Sequence, residues 1–297
     1  MSKFADQLRG SLLALRAELN PSNHAVKYKL YNHINKFTFQ GLDFYEQNEM
    51  GHGVWDKYPG VLPCIRHAPY IFEVSGVPAD GEDILEIGCG LGAVAVYCAK
   101  NFPQINSYTA IDLDEGNIRA CKENNPLPDK LDFYALDATK LTEAPYPEVC
   151  QRVKQGFHRI NFLEVTPEIT KEQYNEIFRQ CIDYLRVGGL LLVTALTLED
   201  KPASKEEETV QYMIRADSPN LHDILETAAK YPCQVEYKDV TDITIKALTY
   251  WTMDHLHFID DTYTWPFSGV SKSYFRGSKS LVDRGALKQF DIFVRKT

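Results

Sequence analysis

The chain has 297 residues, 44% of them hydrophobic and 25% charged, with a formal net charge of −9. That length suits one large core, with or without an appended cap, and the acidic balance disfavours a surface that tracks nucleic acid, where Lys and Arg must dominate to neutralise phosphates. Seven cysteines without a CxxC pair point away from a disulfide framework or zinc cluster and towards a reducing compartment, so a cytoplasmic location is expected.

Residues 1–80 read as helical and aromatic-rich. Phe4, Leu8, Leu12, Leu15 and Leu19 make a helical stripe broken by charges, unlike the continuous apolar core of a signal peptide. No run elsewhere approaches the roughly 20 apolar residues of a membrane helix. From Asp83 the pattern changes to short β-rich runs at 83–88, 106–112, 131–136, 158–164, 189–197, 234–240 and 289–295. Helical stretches at 91–101, 115–124, 171–185 and 219–230 lie between them, the pattern of a parallel sheet with crossover helices. The charge run at 199–209 reads as a mobile, solvated loop. The aromatic segment 241–286, between the last two strands, reads as an inserted cap.

The most informative stretch is "ILEIGCGLGAVAVYCA", residues 84–99, where Gly88, Gly90 and Gly92 follow an apolar run and precede a helix. Such a turn lets backbone approach a ligand closely, and the helix N-terminus offers free N–H groups to polar or negative atoms. Two cofactor types compete. Gly88-x-Gly90-x-x-Ala93, with Asp112 twenty residues beyond Gly92, satisfies the loose dinucleotide fingerprint of a nicotinamide-dependent oxidoreductase.

Glu86, two residues before the first glycine, completes E-x-G-x-G-x-G. With "YTAIDLDEGNI", "LDFYALDATKL", "RINFLEVTPEI" and "CIDYLRVGGLLLVTA" in that order, the chain resembles the class I S-adenosylmethionine-dependent methyltransferases over about residues 80–198, and the terminal "FDIFVRK" resembles their reversed last strand. The resemblance implies a doubly wound, seven-stranded, mostly parallel α/β sheet. Residues 1–80 would then be an N-terminal helical lid segment, and 81–297 the core domain carrying the cap.

The cofactor so implied is S-adenosylmethionine. The turn of Gly88, Gly90 and Gly92, beside Glu86, would wrap its methionine end. Asp112 would take both ribose hydroxyls, and Asp137 with Ala138 would read the adenine edge; Leu113 and Leu163 complete the cofactor-binding set. A carboxylate suits the ribose because it accepts two hydroxyl hydrogen bonds at once. His158 stands where the family often has an aspartate, and Glu168 where a histidine is common, which leaves a methyltransferase-like protein without catalysis as a further alternative.

Methyl transfer from a sulfonium is an in-line displacement, so the protein must position the acceptor and supply a base where the nucleophile carries a proton. The turn after the fourth strand reads "LEVTPE" rather than the Asn/Asp-Pro-Pro-aromatic turn used on nucleobases and amides. A nitrogen or oxygen of a small molecule, with amines and aromatics among the candidates, is the expected acceptor. Tyr45 and Trp55, and Tyr250, Trp251 and His255 of the cap, are candidate pocket residues, since aromatic rings stabilise cations. His52, between two glycines and with an ordinary pKa near 6.5, is a candidate base; Glu164, at the end of the fourth strand, is the second. His255 and His257 have ligand spacing but no supporting cluster, so no metal is expected.

Overall fold

The structure is a computed structural model and describes residues 67–214, 217–254 and 267–297. Helix α1 (His67–Ser75) leads into β1 (Asp83–Ile87), α2 (Ala93–Asn101), β2 (Ser107–Asp112), α3 (Glu115–Glu123), β3 (Leu131–Ala135), α4 (Pro147–Gln155) and β4 (Phe157–Phe162). There follow α5 (Lys171–Tyr184), β5 (Leu185–Leu198), α6 (Lys205–Met213), α7 (Leu221–Ala228), β6 (Cys233–Asp239), α8 (Ile245–Asp254), α9 (Phe267–Asp283) and β7 (Leu287–Lys296).

The strands form one sheet in the order β3-β2-β1-β4-β5-β7-β6. The first five are parallel, and β7 runs antiparallel between β5 and β6. The reversed strand departs from the parallel 3-2-1-4-5-6 sheet of dinucleotide-binding folds. It weighs against the oxidoreductase alternative.

Buried parallel strands carry apolar residues on both faces because crossover helices cover both. Here Leu85, Ile87, Ile160, Phe162 and Leu191 face a core closed by Val149, Val153, Tyr174, Ile177, Phe178 and Ile224 of α4, α5 and α7. Ile84, Tyr108, Ala110 and Leu192 face the opposite core, closed by Ile71, Val96 and Ile118 of α1, α2 and α3. The helix starts are locally specified. Asp114 caps α3 by accepting the Asn117 N–H, and Thr170 with Gln173 and Asn220 with Asp223 form reciprocal capping boxes on α5 and α7.

One expectation needs correction. The stretch 199–209 is not simply a solvated loop: Ser204 caps α6, and Glu207 within the charge run is buried. Its carboxylate accepts from Arg284, Ser280 and the Ala203 N–H. The aromatic segment after β6 contains α8 and α9, and α9 lies so close to α6 that a Cβ at Gly277 would strike the Glu206 backbone. Leu196, Val210, Ile214, Ile245, Leu281 and Leu287 form a third apolar cluster beneath these helices. Helix α4 was also absent from the sequence reading.

His158 has a structural task at the amino edge of the sheet. Its Nδ1 accepts the Asp83 N–H at 2.9 Å, tying the starts of β4 and β1 together. No described helix is long and apolar enough to cross a membrane.

Candidate cofactor and acceptor site

The glycine turn begins where β1 ends. Gly88, Gly90 and Gly92 have φ of 74°, 55° and 82°, the left-handed region that glycine enters without steric penalty. The Gly88 and Cys89 N–H groups both donate to the Ile111 carbonyl, at 2.8 and 3.0 Å, so the turn is pinned to β2. A Cβ on Gly88 would strike Val165 of the turn after β4, and one on Gly92 would come within 2.8 Å of the Phe133 ring. A Cβ on Gly90 would meet nothing within 4 Å. Gly90 is therefore where the turn faces open space.

Asp112, the last residue of β2, is buried. Its Oδ2 accepts the Gly90 N–H at 2.8 Å and its Oδ1 the Asp114 N–H at 2.8 Å. These two backbone donors fix the orientation of the carboxylate at the carboxyl end of β2. Leu113 beside it is 73% exposed, an apolar surface at the mouth of the site. One strand further, Asp137 is exposed and caps a 3-10 turn over Ala138–Glu143, accepting the Thr139 N–H and hydroxyl at 2.9 and 2.7 Å. Ala138 is partly buried against the core.

Glu86 lies beneath the turn, fully enclosed. It accepts the Tyr108 hydroxyl at 2.9 Å, and Asn161 donates to that hydroxyl at 3.2 Å. Burial pushes the Glu86 carboxyl up to about 8, against the lowering effect of Tyr108 and with a smaller push from Asp112. The second polar atom of Asn161, Oδ1, is buried without a hydrogen-bond partner among the described residues.

The sheet order places Asp137, Asp112, the glycine turn and the Leu163–Glu164 turn side by side along the carboxyl ends of β3, β2, β1 and β4. This is the edge where open α/β sheets take ligands. An open glycine, an oriented carboxylate and an exposed apolar side chain fit a nucleoside cofactor. Leu163 is partly buried against the α1–α3 face.

The next strands carry a polar group that the sequence reading missed except for Glu164. Glu164 has φ of 56°, and among the described residues no other non-glycine has a positive φ. Its N–H donates to Thr194 Oγ1 at 2.8 Å and its Oε1 accepts from Gln289 at 2.7 Å. Asp291, paired in register with Thr194, accepts the Tyr70 hydroxyl at 2.6 Å. Burial pushes the Asp291 carboxyl up to about 6; the Tyr70 hydrogen bond opposes this and the Glu164 charge adds to it. The available signal was an acid inside the apolar run "FDIFV".

Tyr45, His52, Trp55 and His255 lie outside the described residues, as does the side chain of Trp251. Tyr250 is on α8, where its hydroxyl donates to Asp283 of α9 and Lys279 sits 4.6 Å from its ring centre. Among the described residues no group of three or more His, Cys, Asp or Glu is arranged to hold a metal.

The fold, the glycine turn and the clasped aspartate resemble those of the class I S-adenosylmethionine-dependent methyltransferases. Residues 84–189 match the family model described as a methyltransferase domain. The chain is similar to a phthiotriol/phenolphthiotriol dimycocerosates methyltransferase of Mycobacterium ulcerans, 29% identical over 132 residues, 44% of each chain. It is also similar to a fatty-acid O-methyltransferase of Mycolicibacterium smegmatis, 28% identical over 131 residues, 43% of each. The match thus spans less than half the length of either relative. In fold it resembles Haemonchus contortus phosphoethanolamine N-methyltransferase 2, with a TM-score of 0.64 at 15% identity, covering 90% of this chain and 58% of that one.

Proposed function

We propose that the chain transfers a methyl group from S-adenosylmethionine to a nitrogen or oxygen of a small molecule. The observation that carries this reading is the Asp112 carboxylate, fixed by the Gly90 and Asp114 N–H groups beside an open turn. When bound, the cofactor supplies an electrophilic methyl group on a sulfonium. The chain's residues bind and orient: Gly90 admits the methionine end, Asp112 holds the ribose, Asp137 and Ala138 read adenine, and Leu113 covers its face.

Acceptor chemistry falls to the edge of β4, β5 and β7. Glu164 is the proposed base or amine partner there, held by Gln289 and Thr194, with the Tyr70–Asp291 pair beside it. His52 remains a proposed alternative base, and Tyr45, Trp55, Trp251 and His255 proposed pocket residues. The similar proteins include both an O- and an N-methyltransferase, and two carboxyl groups suit either a protic oxygen or an amine.

The test begins with thermal unfolding in S-adenosylhomocysteine and, separately, in NAD. A ligand at 100 times its Kd adds about 2.7 kcal/mol, a rise of roughly 5–10 °C for a domain of this size. A shift with S-adenosylhomocysteine alone is expected; a shift with NAD alone would overturn the reading. Transfer of labelled methyl to a panel of amines, phenols, alcohols and carboxylic acids then assigns the acceptor, and binding without turnover across that panel would favour a non-catalytic role.

A further inference from the structure

Two thiols meet at the open glycine. Cys89 lies inside the turn and Cys121 on the last turn of α3, and they direct their sulfurs at the same atom, the Gly90 carbonyl oxygen, at 3.8 and 3.6 Å. Cys121 is also a neighbour that, after burial, raises the pKa of the Cys89 thiol, and its sulfur lies 3.3 Å from where a Cβ of Gly92 would stand. Both are reduced, and among the described residues no disulfide is present. The other backbone group of Gly90 matters for binding, since its N–H, in the preceding peptide unit, is the donor that orients Asp112.

We propose that Cys89 and Cys121 are an oxidisable dithiol that closes the cofactor site. Hydrogen peroxide is the oxidant: one thiol is oxidised to a sulfenic acid with release of water, and the second displaces a further water to form the disulfide. In all, two thiols and one peroxide give one disulfide and two waters. Bringing the sulfurs to about 2.05 Å draws α3 and the turn together around the Gly90 carbonyl. Gly90 must shift, and the clasp of its N–H on Asp112 with it.

Cys89 is 7% and Cys121 1% exposed, so peroxide enters when the turn opens, and a ligand on the turn blocks it. Burial keeps the Cys89 thiol protonated, with the Cys121 thiol and the Asp112 charge adding to the effect. Oxidation is accordingly slow, a response to sustained rather than brief exposure.

This inference rests on the methyltransferase reading, and the experiment separates the two. The reduced full chain is titrated with S-adenosylhomocysteine by calorimetry; absence of binding at this stage would refute the methyltransferase reading itself. The protein is then treated with peroxide, with and without saturating S-adenosylhomocysteine, alkylated and mapped by non-reducing peptide mass spectrometry. A 89–121 cross-link is expected, with affinity falling at least tenfold, recovery on reduction with dithiothreitol and protection by the ligand. The affinities of Cys121→Ala and Cys89→Ala, either of which serves if the other fails to fold, are expected not to change on peroxide treatment. No 89–121 cross-link, or a cross-linked protein with the affinity of the reduced one, would overturn the dithiol.

Discussion

Asp112 and Gly90 hold each other across the carboxyl edge of the sheet: the backbone N–H of the one open glycine in the turn donates to the carboxylate that ends β2, at 2.8 Å. The contact fixes the turn and the carboxylate as one unit before any ligand arrives. Hydrogen bonds to a charged group are each worth about 1.5–3 kcal/mol. Asp112→Ala should therefore weaken S-adenosylhomocysteine binding at least tenfold, with Asp112→Asn, which keeps one acceptor, in between. Calorimetric titration decides it, and near-normal affinity in the alanine variant would refute the ribose assignment.

Two glycines of the same turn should fail in different ways. Gly88 has Val165 against it, whereas Gly90 has open space. Gly88→Ala combines a steric clash with a positive φ, so a stability loss of about 2–4 kcal/mol is expected. Gly90→Ala meets only the left-handed penalty, about 1–2 kcal/mol, and its methyl group projects into the ligand's space. Urea unfolding should find Gly90→Ala the more stable of the two, yet titration should find it unable to bind S-adenosylhomocysteine. Equal stability, or retained binding in Gly90→Ala, would contradict the geometry.

The difference between the two halves of the site explains what was legible in the sequence. Every proposed cofactor residue from Glu86 to Asp137 sits at or near the end of a strand whose apolar run and turn residues announce it locally, and β2 was expected at 106–112 and found at Ser107–Asp112. The proposed acceptor side is assembled from afar: Tyr70 and Asp291 are 221 residues apart, and Glu164 and Gln289 are 125 apart. No local pattern encodes such pairs. The same cause lies behind the misread charge run, because Glu207 owes its burial to Arg284, 77 residues later.

That ion pair makes its own prediction. The Arg284 hydrogen bond, ahead of those from Ser280 and the Ala203 N–H, holds the Glu207 carboxyl down to about 2 from an ordinary 4.5, against the cost of burial. A depressed carboxyl contributes stability that is present above about 4.5 and is lost as pH falls through about 2. Glu207→Gln should cost about 2–3 kcal/mol at pH 7, with the gap to the native protein closing as pH falls towards 2. Urea midpoints measured between pH 2 and 7 would show this convergence; parallel curves would mean that the pair contributes no pH-dependent stability.

Glu86 should show the opposite sign. Burial raises its carboxyl from 4.5 to about 8, so between those values the folded chain holds a proton that the unfolded chain has released. The folded state then binds more protons than the unfolded state, and stability falls as pH rises, by about 1.4 kcal/mol per pH unit inside the window. Glu86→Gln keeps an acceptor for the Tyr108 hydroxyl and removes the titration. The variant should gain on the native protein by about 2–3 kcal/mol between pH 5.5 and 7.5, read from urea unfolding without ligand. If the difference between the two proteins stays constant over that interval, Glu86 is ionised beneath the turn throughout, and its charge would have to be balanced by a group other than Tyr108.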